Sequence, residues 1–276
     1  MELSDAVVAH LREVADRPDL TGTRYDLERE IGRGGMGVVY AACDRELDRR
    51  VALKVMDAAL CGEPRLMARL EHPAIVPVYE TGMLPDGRVF YAMKLVSGVR
   101  LDAFLESDAS LAERLRVIQR VGEALAFAHS RGVLHRDLKP QNVMTGTFGE
   151  VYVMDWGVEA VAGTPAFRAP EGACDTRSDI YSLGALLQVA VDRLKPVPQL
   201  RAIAAKAMTP NPAARYPDAT SLLAEIERFQ NGFAVEAYPE SPWETGLRYA
   251  RRSAVLLWLL AAFVTVKFFL FFLRSR

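Results

Sequence analysis

His135-Arg136-Asp137-Leu138-Lys139-Pro140-Gln141-Asn142 packs a base, an acid, a lysine and a carboxamide into one short run. No ordinary core segment needs that density, because every buried polar group must find a partner. Asp137 could accept a proton from a hydroxyl nucleophile. Lys139, two residues on and so on the same side of an extended loop, could neutralise a transferring phosphoryl group. Asn142 offers a neutral oxygen to a hard cation such as Mg²⁺, and Pro140 stiffens the loop between them. A charged surface turn would carry the same letters, so the flanking sequence has to decide.

Upstream, two β-like runs at 25–31 and 38–42 flank Gly32-Arg33-Gly34-Gly35-Met36-Gly37. Glycines at 32, 34 and 37 let a hairpin turn tightly and bring backbone N–H groups against phosphates with no Cβ in the way. Alone, G-x-G-x-x-G would equally suggest a dinucleotide fold. Here a strand follows, Val51-Ala52-Leu53-Lys54, where a Rossmann loop would open a helix. Alternation puts Ala52 and Lys54 on one face and Val51 and Leu53 on the other. A small residue that admits a flat base, beside a cation for phosphates, suits nucleotide binding. Downstream, Val151-Tyr152-Val153-Met154 is a short apolar strand ending in Asp155-Trp156-Gly157.

In this order the motifs resemble those of protein kinases: the glycine loop, V-A-L-K, H-R-D-x-x-x-x-N and a D-F-G variant with tryptophan in place of phenylalanine. The D-L-K-P form is the one typical of serine/threonine kinases. The resemblance covers residues 25–232 and is close in pattern to membrane-anchored bacterial enzymes. It implies an α+β, bilobal fold with a β-rich N-lobe and a helical C-lobe. It also implies ATP and Mg²⁺ as cofactors, with Mn²⁺ able to substitute, and a protein substrate carrying a Ser or Thr acceptor. By that resemblance Asp137 orients and deprotonates the acceptor hydroxyl, while Lys139 and Lys54 stabilise phosphate charge. Glu63 holds Lys54, and Asn142 and Asp155 bind the metal. Ile31, Gly32, Gly34, Gly37, Val39, Ala52, Lys54, Met93, Val96 and Met144 line the nucleotide site. Met93 would be the gatekeeper, the segment 94–96 the hinge, and Met144 the residue beneath adenine. Asp179 would brace the catalytic loop, and Arg215 would pair with Glu171. Trp156 keeps an aromatic plug but adds an N–H that needs a partner.

Three departures from the family pattern stand out. Only eight residues separate Lys54 from Glu63, and Pro64 follows at once; proline is tolerated at a helix's first turn and poorly inside it. The family's helix C is therefore expected to be short, from about residue 64 to 71. Asp155 and Glu171 lie sixteen positions apart, and Thr164 is the only hydroxyl residue between them. Switching by activation-loop phosphorylation is therefore not expected. Residues 192–199 stand where relatives carry a further helix that often docks protein substrates. These departures leave open a membrane-tethered pseudokinase, acting as an ATP-binding scaffold. A small-molecule phosphotransferase is disfavoured by Lys139-Pro140 and Ala169-Pro170-Glu171.

The remainder of the chain sets the context. Its 276 residues are half hydrophobic and a quarter charged, with net charge −1, so no basic footprint argues for nucleic acid. Cys43, Cys61 and Cys174 are too few and too scattered for a disulfide framework or a zinc site. Leu3, Val7, Leu11 and Val14 make a helical stripe in residues 1–24, before a break at Pro18 and Gly22. Its expected role is to dock on the next domain, a partner-binding arm being the alternative. At the other end, residues 254–273 are interrupted only by Thr265 and Lys267. As a helix they would span about 30 Å, one bilayer core. Residues 233–253 then read as a juxtamembrane linker marked by Pro239 and Pro242. Trp243, Leu247 and Ala250 share a face, and Arg248, Arg251 and Arg252 precede the span. The expectation is a single-pass protein of the cell membrane. Its kinase domain would be cytoplasmic, where ATP is, with no external domain after the span. The bilayer is thus an expected partner, and a homodimer is left open.

Overall fold

The computed structural model describes residues 17–34, 37–58, 67, 69–156, 165–172, 175–252, 258 and 262–267. Five strands form the first sheet: β1 (Tyr25–Gly34), β2 (Gly37–Asp44), β3 (Arg49–Met56), β4 (Val78–Met83) and β5 (Val89–Lys94), in the order β1-β2-β3-β5-β4. All neighbours run antiparallel. The expected alternation along β3 holds. Ala52 and Met56 join the main core that continues into the second lobe, whereas Val51, Leu53 and Val55 join a separate cluster with Tyr25, Tyr40 and Phe90. Lys54 is thereby turned to the same side as Ala52.

β4 begins only at Val78, because Pro77 has no N–H to give a ladder. Ile75 instead makes an isolated parallel bridge to Val153, with Val153 N bonded to Ala74 O at 2.8 Å. This stitches the sheet lobe to the helical one. Of the short helix expected over 64–71, Met67 is helical, Arg69 lies in a turn and Leu70 and Glu71 are outside the helix. The approach to Pro73 disfavours helical backbone just before it.

The second lobe holds a small sheet, β6 (Gly98–Arg100), β7 (Val143–Gly146) and β8 (Val151–Val153), in that order. Its helices are α1 (Leu101–Glu106), α2 (Leu111–Ser130), α3 (Thr176–Asp192), α4 (Pro198–Ala207), α5 (Ala219–Gln230) and α6 (Pro242–Arg252). Ser110 and Glu113 close a reciprocal capping box that starts α2. Asp175 and Asp218 cap α3 and α5. The apolar faces of α2 (Leu115, Ile118, Val121, Leu125) and α3 (Ile180, Leu183, Leu186, Leu187) are fully buried. Each such side chain contributes about 2 kcal/mol by leaving water. Only five residues connect α3 to α4.

Of residues 233–253, expected to be a linker, 233–252 are described and organised. Val235 is buried, Ala237 and Tyr238 pack on the core, and α6 follows. Of the expected span at 254–273, only Trp258 and residues 262–267 are described, the latter helical. Among the described residues no helix is long and apolar enough to cross a membrane. The N-terminal stripe up to Val14 lies outside the described residues.

Candidate active site

The glycine hairpin is the first wall. Gly34 and Gly37 face each other across its tip, and Gly37 has φ +130°. A Cβ at Gly37 would meet Val55 O at 2.2 Å, so only glycine fits against β3 there. A Cβ on Gly32 or Gly34 would meet nothing within 4 Å, which leaves their inner surface open. Val39 pairs with Lys54 across β2 and β3, and Ala52 pairs with buried Met93 across β3 and β5. Ile31 is exposed on β1, Val96 is half-buried after β5, and half-buried Met144 sits on β7 opposite Tyr152. The expected lining residues thus come from both lobes.

The charged groups meet between them. Lys54 is 4 % exposed, and its Nζ lies 2.9 Å from Asp155 Oδ1, joining positions 101 residues apart. In the loop, Lys139 Nζ donates to Asp137 Oδ2 at 2.6 Å. Asn142 Nδ2 donates to Asp137 O at 2.8 Å and to Oδ2 at 3.2 Å. With the amide turned that way, Asn142 Oδ1 is the atom left to face a cation. Asn142 O accepts from Met154 N at 2.9 Å, while Val143 pairs with Val153. The β7–β8 hairpin therefore brings Asn142 and Asp155 to the same end. Glu63, expected to hold Lys54, lies outside the described residues, as do Gly157 and Thr164.

Two of these residues adopt left-handed backbone: Arg136 at φ +71° and Asp155 at φ +57°. Neither is glycine, so each conformation is strained and has to be held by its surroundings. Arg136 is held by Asp179, whose Oδ1 accepts from Arg136 N at 3.0 Å and whose Oδ2 accepts from His135 N at 2.8 Å. The expected brace is thus present, and His129 Nε2 adds a third contact at 2.8 Å to Oδ2. Asp155 is held by its neighbour. Trp156 is fully buried, its Nε1–H donates to Val153 O at 3.1 Å, and its ring lies 4.7 Å from that of His135. The indole N–H therefore has the partner it needed. His135 is completely buried, and desolvation pushes its imidazole below the ordinary range, against the pull of Asp179, Asp155 and Asp137. The ring is neutral, and its Nδ1 accepts from Asp137 N at 3.3 Å.

Arg215 and Glu171 form a bidentate pair. Arg215 also donates to the carbonyls of Thr209, Arg177 and Pro210. The guanidinium holds the Glu171 carboxyl below its usual range. Two contacts escaped the sequence reading. His129 gave no signal, as one polar residue in the last turn of α2. Lys94, at the start of the hinge, hydrogen-bonds Tyr152 OH, and this raises the lysine's pKa. The apolar run 151–154 concealed Tyr152.

A lysine on the strand behind the glycine hairpin contacts the Asp155 carboxylate, and a loop of the second lobe gathers Asp137, Lys139 and Asn142, a set of groups suited to phosphate and metal chemistry. The chain belongs to the protein kinase domain family, whose pattern matches residues 25–214. It is 34 % identical over 281 residues to serine/threonine-protein kinase PknB of Mycolicibacterium smegmatis, covering 80 % of this chain and 45 % of that protein. It is 39 % identical over 197 residues to the DNA damage-responsive serine/threonine-protein kinase RqkA of Deinococcus radiodurans, covering 61 % and 30 %. Its fold is similar to the crystal structure of a point mutant of the Mycobacterium tuberculosis PknI kinase domain. There the TM-score is 0.61 at 27 % identity, covering 74 % of this chain and 95 % of that one. The chain spans less than half the length of the curated relatives it matches.

Proposed function

We propose that this chain is an ATP-dependent serine/threonine protein kinase, anchored through its C-terminal apolar segment to the cell membrane with its kinase domain in the cytoplasm. The observation that carries the enzymatic reading is the 2.9 Å contact between Lys54 and Asp155, beside the Asp137–Lys139–Asn142 cluster. The relatives named above, serine/threonine kinases by name, support the same reading. The donor set fits Mg²⁺: one carboxylate, Asp155, and one amide oxygen, Asn142, both hard ligands that leave room for phosphate oxygens. Mn²⁺ has the same preference and could replace it. When bound, the metal neutralises charge on the transferring phosphoryl group.

The chain's own residues do the rest. With nucleotide and metal bound, Lys54 would hold the phosphates and Asp155 the metal, in place of the 2.9 Å contact they make with each other here. Asp137 accepts the proton of the acceptor hydroxyl, and Lys139, already on its Oδ2, stabilises charge at the reacting centre. The glycine hairpin covers the phosphates with backbone N–H groups. The anchoring half rests on the apolar composition of residues 254–273 and the arginines before them.

The test is phosphate transfer by the full chain in liposomes with Mg²⁺-ATP and generic Ser/Thr protein acceptors, beside Asp137→Ala. Transfer that falls at least about 1,000-fold in the variant fits removal of the residue that handles the acceptor proton. Nucleotide binding without transfer by the unaltered chain would refute the enzyme and leave a binding scaffold.

A further inference from the structure

A surface helix of a globular protein normally turns its apolar stripe inward and its charges to water. In α6 the arrangement is reversed. Its polar side is the one attached to the protein: Glu244 accepts from Tyr238 OH at 2.9 Å, and Arg248 and Thr245 both bond Glu240, at 2.8 and 3.3 Å. The Arg248 and Glu240 side chains are only 18 % and 9 % exposed. On the other side Trp243 is 81 % and Leu247 44 % exposed, and Gly246 continues the same stripe at helical spacing. Tyr249, at 59 % exposed, flanks it.

The segment leading into α6 is bolted to the C-lobe. Phe233 N bonds Arg228 O, Arg228 Nε bonds Ala234 O, and Ala237 N bonds Oε2 of Glu225, a carboxylate only 4 % exposed. Val235 is buried in the core between them. Thus α6 is carried on a strap, not on a free tether.

We propose that α6 lies in the plane of an anionic bilayer surface, apolar stripe inward. Its polar side, through the strap, holds the kinase C-lobe at a fixed height above that bilayer, so that the acceptors are Ser and Thr residues of proteins at the same membrane. Three observations commit the stripe to lipid. Only Ser253 separates α6 from the apolar run 254–273. Trp243 and Tyr249 are the amphipathic aromatics that settle at headgroup level. Arg251 and Arg252 supply cations in the same stretch of sequence, matching anionic headgroups. At eleven residues α6 is about 16 Å long, too short to cross a bilayer and long enough to lie on one. The proposal rests on the membrane-anchored kinase reading.

The experiment uses the full chain in phosphatidylcholine–phosphatidylglycerol liposomes. The protein has three tryptophans, of which Trp156 is fully buried. In Trp258→Phe, quenching by lipids brominated near the headgroup therefore reports Trp243, with Trp243→Phe/Trp258→Phe as the blank. Strong shallow quenching is expected. Acceptor peptides are then attached to lipid through tethers of graded length, and a 20-residue Gly/Ser insert after Tyr238, reaching about 25 Å, frees the lobe from α6. The unaltered chain is expected to show a steep dependence on tether length, with at least about tenfold between best and worst, and the insert variant a flat one. Absence of Trp243 quenching, or the same length dependence in both chains, overturns the proposal. Trp243 shielded from both bromolipid and aqueous quencher would mean a second copy or another protein covers the stripe, and also overturns it. If Trp243 is quenched but no acceptor, soluble or tethered, is phosphorylated, the kinase reading fails and the acceptor class with it, while the interfacial helix stands. Failure of the chain to float with liposomes removes the anchoring reading and this proposal together.

Discussion

Asp179→Asn is a nearly isosteric change that removes one charge at the point where the active loop is held. Asp179 gives one oxygen to Arg136 N and the other to His135 N and His129. An amide has one acceptor oxygen, so one of the two backbone N–H groups must face an NH₂. The loss is one charge-assisted bond, about 1.5–3 kcal/mol, with the orphaned N–H included in the upper end. Spread over a domain of this size, that loss lowers Tm by about 3–12 °C. Arg136 at φ +71° is strained by about 1–3 kcal/mol and stays there only while it is held. Once released it relaxes toward ordinary backbone and turns Asp137 off line. A misalignment costing about 1.4–2.7 kcal/mol in the transition state is a 10- to 100-fold fall in kcat. Nucleotide affinity should change less than threefold, since Lys54 and the glycine hairpin are untouched. Thermal unfolding, nucleotide titration and steady-state transfer measure the three quantities. A variant with unchanged Tm and unchanged kcat would refute the claim that Asp179 holds the loop.

Arg215→Ala should destabilise by about 3–5 kcal/mol, because it strands Glu171 and three carbonyls that the buried guanidinium serves. Chemical denaturation checks this, and a loss under 1 kcal/mol would contradict it. Trp156→Phe forfeits the bond to Val153 O and leaves a small void, together about 2 kcal/mol. Unchanged thermal stability would show that the indole N–H is not an anchor for Asp155. For His135 the folded pKa lies below the unfolded value near 6.5, so between the two values the unfolded chain binds more protons. Its contribution is therefore fully present above pH 6.5 and is lost as pH falls through the folded pKa, at up to about 1.4 kcal/mol per pH unit. A denaturation series from pH 8 to 5 should show that slope, and His135→Phe should flatten it.

Local chemistry is legible in a sequence wherever the function needs a particular atom at a fixed short spacing. The set Asp137, Lys139 and Asn142 is of this kind, and so is the alternation that puts Ala52 and Lys54 on one side of β3. Helices α2 and α5 start at the capping residues Ser110 and Asp218 and each bury one face of a 3.6-residue apolar period, which are likewise properties of neighbours along the chain. None of that required knowing what lay opposite.

What lay opposite was decided by tertiary structure. The meeting of Lys54 with Asp155 depends on two lobes closing over one another, through Ile75 and Val153. The third ligand of Asp179 is a histidine with no motif around it. Residues 233–253 read as a linker marked by Pro239 and Pro242, yet a buried valine and a hidden carboxylate on α5 fasten down the part that precedes α6. The stripe on α6 could be drawn on a helical wheel, but not which side of it was already taken. Backbone preference and side-chain period are properties of neighbours along the chain, whereas the partner of a charge is chosen by which surfaces exclude water together.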